Sequence, residues 1–201
     1  MYDSPLYPTP RATEVEAFVA AMRHGTLIAT APGGQPQVSI LPFVKTGGQI
    51  EVHCIRADPT FAAAQANERV TFFVSDFLAF TPHHFVDPHD AGRATLHFRA
   101  VAFECLAECS TDPAEIAATL TRLLADYEPA SAYVPLSDPS YAERLARLAC
   151  LRLTIVNTHA KFKVGPAAPP DVRMHVAGKL RTAGNSRAAD LIDEATPKPE
   201  P

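Results

Sequence analysis

Arg56 and Asp58 lie at a junction where a phosphate group could bind. Residues 49–55 alternate apolar and polar side chains as a β-strand does, and the alanine-rich stretch after Pro59 favours a helix. Asp58 suits the N-cap of that helix, and Pro59 suits its first position. Free N–H groups at a helix N-terminus attract anions, and Arg56 adds a fixed positive charge beside them. The sequence therefore predicts a phosphate site here, with a capped turn and a solvated arginine as the alternative.

A histidine-rich segment is the best candidate for a metal site. Imidazole and carboxylate side chains occur close together there, at His83, His84, Asp87, His89 and Asp90, and His97 follows on the next predicted strand. Zinc or another divalent ion would suit such ligands. Their spacing matches no defined metal site, so the alternative is a polar surface loop.

The chain lacks the common motifs of nucleotide-binding proteins, hydrolases and zinc proteases. Ser39, His53 and Asp58 could be combined into a catalytic triad, but each has a simpler role in a strand or a helix cap. The sequence therefore identifies no catalytic residue.

Composition indicates a globular protein with a sizeable core. The chain has 201 residues, of which 47% are hydrophobic. No apolar run is long enough to cross a bilayer, and the N-terminus lacks the features of a signal peptide, so a cytoplasmic protein without a membrane partner is expected. The four cysteines form no C-x-x-C pair, so reduced and mostly buried thiols are expected.

Charge is unevenly distributed along the chain. The segment from Arg152 to Arg187 carries +6, whereas the whole chain carries -4. This segment could form a solvated basic face or attract an anionic ligand. Direct DNA binding is not expected, because no helix-turn-helix is evident and the chain as a whole is acidic.

Residues 1–164 are predicted to form a mainly β domain with helical insertions. A capping box at Thr13 starts a helix running to about His24, and further helices start at Asp112-Pro113 and Asp138-Pro139. Strands are predicted at residues 26–31, 37–45, 49–55, 69–75, 77–81, 94–108, 150–156 and 160–164.

The strand pattern favours a small barrel. Residues 69–75 and 77–81 are nearly all apolar, which predicts strands buried on both faces and interrupted at Asp76. A second interruption is predicted at Asn157. Residues 165–201 are expected to form a Pro/Ala-rich arm with a short helix near 187–193 and a disordered tail.

Five short motifs occur along the chain and carry a family resemblance. They are Met1-Tyr2, Ser39 to Pro42 (S-I-L-P), His53 to Phe61 (H-C-I-R-A-D-P-T-F), Ala79 to Phe85 (A-F-T-P-H-H-F) and Lys161 to Val164 (K-F-K-V). Together they resemble the PaiB-like family of FMN-binding negative transcriptional regulators. The resemblance implies the FMN-binding split-barrel fold shared with pyridoxamine-phosphate-oxidase-like flavoproteins.

The resemblance implies a homodimer that holds FMN in a cleft between subunits. Arg56 and the amides that follow it would bind the phosphate, Lys161 or Lys163 would add charge, and an apolar wall would flank the ring. The expected cofactor residues are Ser39, Leu41, His53, Arg56, Asp58, Phe61, Thr81, Thr95, Lys161 and Lys163, with Phe80 as a further candidate for the wall.

Two departures from the family motifs motivate other functions. The family's P-T-W-N-Y appears here as Ala94 to Phe98 (A-T-L-H-F), and its S-Q-N-R is replaced by Gly165 to Ala168 (G-P-A-A). The leading hypothesis is an FMN-binding redox or transcription-regulatory factor, and if it is an enzyme it is a flavin-dependent oxidoreductase. The alternatives are a flavin-free regulatory or partner-binding module and a metal- or heme-binding barrel.

Overall fold

The computed structural model describes residues 6–197, which form two compact units. Unit 1 comprises residues 6–15, 75–101 and 160–197, and unit 2 comprises residues 16–74 and 102–159. The motif at Met1-Tyr2 and the end of the tail predicted to be disordered lie outside the described residues.

The described residues contain seven strands and six α-helices. The strands are β1 (Gly25–Thr30), β2 (Pro36–Leu41), β3 (Phe43–Thr46), β4 (Gln49–Ile55), β5 (Arg69–Thr81), β6 (Thr95–Ser110) and β7 (Leu148–Lys163). The helices are α1 (Ala12–Ala20), α2 (Pro59–Ala66), α3 (Pro113–Tyr127), α4 (Ala142–Leu145), α5 (Pro170–Thr182) and α6 (Ser186–Glu194).

The strands form one sheet in the order β2-β1-β5-β6-β7-β4-β3. The pairs β1–β2, β1–β5, β3–β4 and β4–β7 are antiparallel. β2 and β3 lie at opposite ends of this order, yet only Pro42 separates them in the chain. Because one residue spans no more than about 3.6 Å, the two ends of the sheet must meet at Pro42. The sheet is therefore curled on itself, as a barrel requires.

β5 is a continuous strand, so the predicted interruption at Asp76 is wrong. Asp76 is only 8% exposed, and its carboxylate accepts hydrogen bonds from Arg99 at 2.7 Å and Arg187 at 2.6 Å. These two cations let a charged residue lie within a strand. The prediction that both faces are buried is also wrong, since Phe77 and Phe80 are exposed.

β7 also continues through its predicted interruption, at Asn157. Asn157 is exposed, and its side-chain oxygen accepts the backbone N–H of Thr158 at 2.9 Å. An exposed asparagine can follow the extended backbone without burying its amide group. The chain therefore reaches Lys163 in a single strand.

Two helices replace most of the predicted C-terminal arm. In unit 1, Val176, Ala177 and Leu180 of α5 pack with Ala189 and Ile192 of α6, and all five side chains are buried. Sequence reasoning missed α5 because the segment that leads into it, G-P-A-A-P-P at residues 165–170, is rich in proline and alanine. α6 corresponds to the short helix predicted near residues 187–193.

In unit 2, α3 and α4 cover one side of the barrel. Ile116 of α3, Leu145 of α4 and Cys150 of β7 belong to one buried cluster. The helix expected at Asp138 is instead a 3-10 turn, Pro139–Tyr141, followed by the single turn of α4. No helix within residues 6–197 is long and apolar enough to cross a membrane.

Candidate functional site

The start of α2 is held by a hydrogen-bonded group of three side chains. Asp58 is the N-cap, and its Oδ1 accepts the backbone N–H of Thr60 at 2.8 Å. The Ser39 hydroxyl of β2 donates toward the two Asp58 carboxylate oxygens, at 3.0 and 2.9 Å. The Ser39 and Thr60 hydroxyl oxygens are 2.8 Å apart. Because Ser39 has a single proton, the Thr60 hydroxyl donates to Ser39 when Ser39 donates to Asp58.

The first turn of α2 offers no free N–H group. Pro59 has none, and Thr60 donates to the Asp58 carboxylate. Phe61 and Ala62 both donate to the Asp58 carbonyl, at 3.0 and 3.3 Å. The phosphate site predicted from the sequence therefore has its amides engaged by Asp58 itself, and an anion there would meet the Asp58 carboxylate.

Arg56 is exposed at the end of β4. Its backbone N–H donates to the Arg147 carbonyl at 2.8 Å, which fixes the main chain. The ion pairs found among residues 6–197 do not include Arg56. Its guanidinium is therefore available to an anionic ligand in unit 2.

Three other predicted residues of unit 2 lie in or near the core. Leu41 is 8% exposed and Phe61 is 2% exposed, so both pack inside the protein. His53 is half-buried opposite Cys150 on β7, and burial lowers its pKa. Its Nδ1 makes no hydrogen bond to any described group.

In unit 1, Thr81 and His97 form a buried pair. Both side chains are fully buried, and the Thr81 Oγ1 lies 2.6 Å from the His97 Nε2. Burial, together with the positive charges of Lys163 and Arg173, lowers the His97 pKa to about 4. Sequence reasoning placed His97 beside the metal loop and missed this partner. Local sequence pattern does not indicate this partner, although His97 occupies the position in A-T-L-H-F where the family that the chain resembles has an asparagine.

Two lysines and an aromatic residue lie at the end of β7. Lys161 and Lys163 are half-buried, and the Lys163 Nζ lies 5.8 Å from the centre of the Tyr7 ring. Burial lowers the pKa of Lys163, and the charge of Lys161 adds to this effect. Thr95, the first residue of β6, is also half-buried. Phe80 is 54% exposed.

The predicted cofactor residues are thus divided between the two units. Ser39, Leu41, His53, Arg56, Asp58 and Phe61 belong to unit 2, and Thr81, Thr95, Lys161 and Lys163 belong to unit 1. Within unit 2 the structure brings Ser39 and Asp58 into direct contact. The remaining assignments to a cofactor stay predictions.

The histidine-rich loop uses its carboxylates to hold turns. The Asp87 Oδ1 accepts the backbone N–H of His89 at 2.8 Å, and the Asp90 Oδ1 accepts that of Gly92 at 2.9 Å. The His83 and His84 rings meet edge to face. Among the described residues, no group of three or more histidine, cysteine or acidic side chains is arranged to hold a metal ion.

Three arginines of the basic segment make contacts within unit 1. Arg173 donates to the carbonyls of Val164 and Pro166, at 3.1 and 2.9 Å. Arg181 pairs with two acids of α6, and Arg187 pairs with Asp76. For these three residues, the charge noted in the sequence serves the fold.

Comparison with solved structures identifies the fold of the chain. A flavocytochrome, Anf3 from Azotobacter vinelandii, superposes with a TM-score of 0.63 at 20% identity, over 81% of this chain and 72% of that one. An FAD- and heme-binding protein from Mycobacterium smegmatis gives 0.62 at 14% identity, over 81% and 76%. The conserved hypothetical protein Rv2991 from Mycobacterium tuberculosis gives 0.59 at 18% identity, over 81% and 91%. The fold is the split barrel of FMN-binding, pyridoxamine-phosphate-oxidase-like proteins, as predicted.

The sequence itself then defines the family. Residues 1–157 match the family model described as "Putative FMN-binding domain", so the chain belongs to this family, the PaiB family that its motifs resemble. A comparison with curated protein sequences found no match.

Proposed function

We propose that the protein binds FMN and acts as a redox or transcription-regulatory factor. The observation that carries this proposal is the match of residues 1–157 to an FMN-binding family. The exposed guanidinium of Arg56, at the end of β4, supports it locally, because it is a fixed positive charge open to an anionic ligand. Bound FMN would supply reversible electron or hydride transfer, and an enzymatic role would be that of a flavin-dependent oxidoreductase.

In the proposed site Arg56 binds the FMN phosphate. The guanidinium is always charged at neutral pH and can donate two parallel hydrogen bonds to phosphate oxygens. Asp58 opposes this interaction through its negative charge, although Ser39 and the Thr60 amide hold its carboxylate toward the protein. Phosphate affinity therefore depends on the balance between Arg56 and Asp58.

The active form in this proposal is a cytoplasmic homodimer. β2 lies at one end of the strand order and carries two exposed apolar side chains, Val38 at 59% and Ile40 at 71% exposure. Apolar side chains on an edge strand favour contact with another protein surface. A second copy of the chain is the partner proposed for this face.

Spectroscopy tests the proposal directly. Freshly purified protein is expected to show the absorbance bands of an oxidised flavin, and added FMN is expected to raise the melting temperature of any flavin-free fraction. Colourless protein whose melting temperature does not respond to FMN would contradict the proposal.

The Arg56→Ala variant tests the phosphate contact. We expect it to weaken FMN binding by about 1–3 kcal/mol, because a charge-assisted hydrogen bond is lost. Asp58→Asn is expected to strengthen binding, because asparagine keeps the helix cap and removes the opposing charge. Fluorescence quenching of FMN measures both affinities.

Arg69→Ala is the matched control, since Arg69 is another exposed arginine of unit 2. Its FMN affinity should equal that of the unmodified protein. Equal affinities for Arg56→Ala and Arg69→Ala would remove Arg56 from the site while leaving FMN binding itself intact.

A flavin-free partner-binding module is the second candidate function. It is favoured by the capped start of α2, where the first-turn amides of Thr60, Phe61 and Ala62 are already engaged by Asp58. If the protein is such a flavin-free module, Asp58→Asn would change the free energy of unfolding only slightly and would not create FMN binding.

A further inference from the structure

Unit 2 contains a cavity that the proposed FMN site does not use. It has a volume of about 730 Å³ and lies between α3, α4 and the loop before Asp138, and we call it the α3 pocket. Small-molecule sites in proteins have volumes of this order. The cavity is therefore large enough for a small organic ligand.

The walls of the α3 pocket are mostly apolar, and the wall formed by α3 is rich in small side chains. Ala114, Ala117 and Ala118 line one side, where α3 presents methyl groups in place of longer side chains. Leu136 and Leu145 are 8% and 6% exposed and join the buried cluster that includes Ile116. The apolar part of a bound ligand would cover the apolar surface that these walls still expose to water.

Among the residues that line the α3 pocket, Asp138 is the one with a charged side chain. Its Oδ1 accepts the backbone N–H of Ser140 at 2.9 Å, which fixes the carboxylate at the start of the 3-10 turn. Hydrogen bonds from the Ser140 side chain and backbone lower the pKa of Asp138, so the carboxylate is ionised at neutral pH. The lining residues include no basic side chain.

We propose that the α3 pocket binds a small amine with an apolar, aromatic body, whose ammonium group pairs with the Asp138 carboxylate. The apolar walls accept the aromatic body, and the single carboxylate selects a cation over a neutral or anionic group. This proposal is independent of FMN binding, because none of the expected cofactor residues lines the pocket.

Three indole compounds with the same ring system test the proposal: tryptamine, its neutral alcohol analogue tryptophol, and the anion indole-3-acetate. The chain contains no tryptophan, so indole fluorescence comes from the ligand alone, and its anisotropy reports binding. Tryptamine is expected to bind most tightly and indole-3-acetate most weakly. Equal affinity for all three compounds would overturn the proposed charge selection.

Asp138→Asn separates the charge from the fold. Asparagine also caps helical turns, so this variant keeps the structure and removes the negative charge. The Kd of tryptamine is expected to rise on the order of tenfold, while that of tryptophol stays unchanged, as loss of one charge-assisted contact predicts. An unchanged tryptamine Kd would show that Asp138 does not bind the amine.

Ala118→Phe and Ala125→Phe form a matched pair that locates the ligand. Both alanines are exposed on α3, but only Ala118 lines the pocket. Phenylalanine at 118 would fill the cavity, so tryptamine binding should be lost in that variant and retained in Ala125→Phe. Retained binding in both variants, with unchanged circular dichroism spectra, would place the amine elsewhere and overturn the proposal.

Discussion

The buried imidazole of His97 couples stability to pH. Its pKa is about 4 in the folded protein, below the ordinary value of 6.5, so the folded state disfavours its protonation. Between these two values the unfolded chain binds a proton that the folded chain does not, and stability falls as pH falls. The full effect is about 3 kcal/mol, and it is reached below about pH 4.

Urea unfolding between pH 7 and pH 4.5 measures this effect. The unmodified protein is expected to lose stability across the interval, and His97→Gln is expected to lose less. Some dependence should remain in His97→Gln, because burial also lowers the pKa of His53. His24→Gln is the control, since His24 is exposed, and an identical slope for His24→Gln and His97→Gln would contradict the role of His97.

At the level of single residues, sequence reasoning identified roles more readily than partners. The Asp58 cap followed from an aspartate before a proline and a run of alanines, and it is confirmed. The hydrogen bond between Ser39 and Asp58 could not be predicted from the sequence. It joins β2 to α2, and the local residue pattern does not indicate which side chains of the two elements meet. The Thr81–His97 pair was missed for the same reason.

Among the elements, β5 depends on its buried carboxylate. Asp76 pairs with Arg99 of β6 and with Arg187 in the first turn of α6, so it connects three elements of unit 1. Arg187 keeps 65% of its side chain exposed, whereas Asp76 keeps 8%. Removing the carboxylate should therefore cost much more than removing Arg187.

Asp76→Ala is expected to destabilise the protein by about 3 kcal/mol, because two guanidinium groups lose a buried partner. Arg187→Ala is expected to cost about 1 kcal/mol or less, because Asp76 keeps its bond to Arg99 and exposed ion pairs contribute little. Thermal and urea unfolding give both values. A smaller cost for Asp76→Ala than for Arg187→Ala would contradict this assignment.

The errors in predicted elements have a common origin in long-range contacts. A charged residue within an apolar run predicted an interruption at Asp76, but cations distant in sequence removed the penalty of burying it. Likewise, the helix α5 is stabilised by packing against α6 more than by its own composition. The starts of α2 and α3 were predicted correctly, because an N-cap aspartate followed by proline is a local signal that fixes where each helix begins.

For the whole molecule, the edge strand β2 provides a test of the proposed homodimer. Ile40→Lys is expected to convert the dimer to a monomer, because it places a charge in the proposed contact. Val156→Lys is the control, since Val156 is also a β-branched apolar residue and is 60% exposed on β7. Analytical ultracentrifugation gives the oligomeric state, and a dimer that persists in Ile40→Lys would place the contact elsewhere.

The fold class and family could be predicted from the sequence because both depend on features spread along the whole chain. Alternation in the strands and five short motifs pointed to the split barrel, and the structural and family comparisons confirm it. The division of the cofactor residues between two units could not be foreseen, since for Thr81, Thr95, Lys161 and Lys163 it depends on which half of a long strand the residue occupies. The predicted division at residue 164 stays a prediction.

The pairing of β4 with β7 has a consequence for synthesis on the ribosome. β4 bonds to β3 within the same hairpin, but its other edge bonds to residues 148–154, which are made much later than β4. A nascent chain emerges at about 5–20 residues per second, so this edge has no partner for several seconds after β4 has left the exit tunnel. During that interval the unfinished polypeptide carries an unsatisfied strand edge, which is the form most in need of chaperone protection.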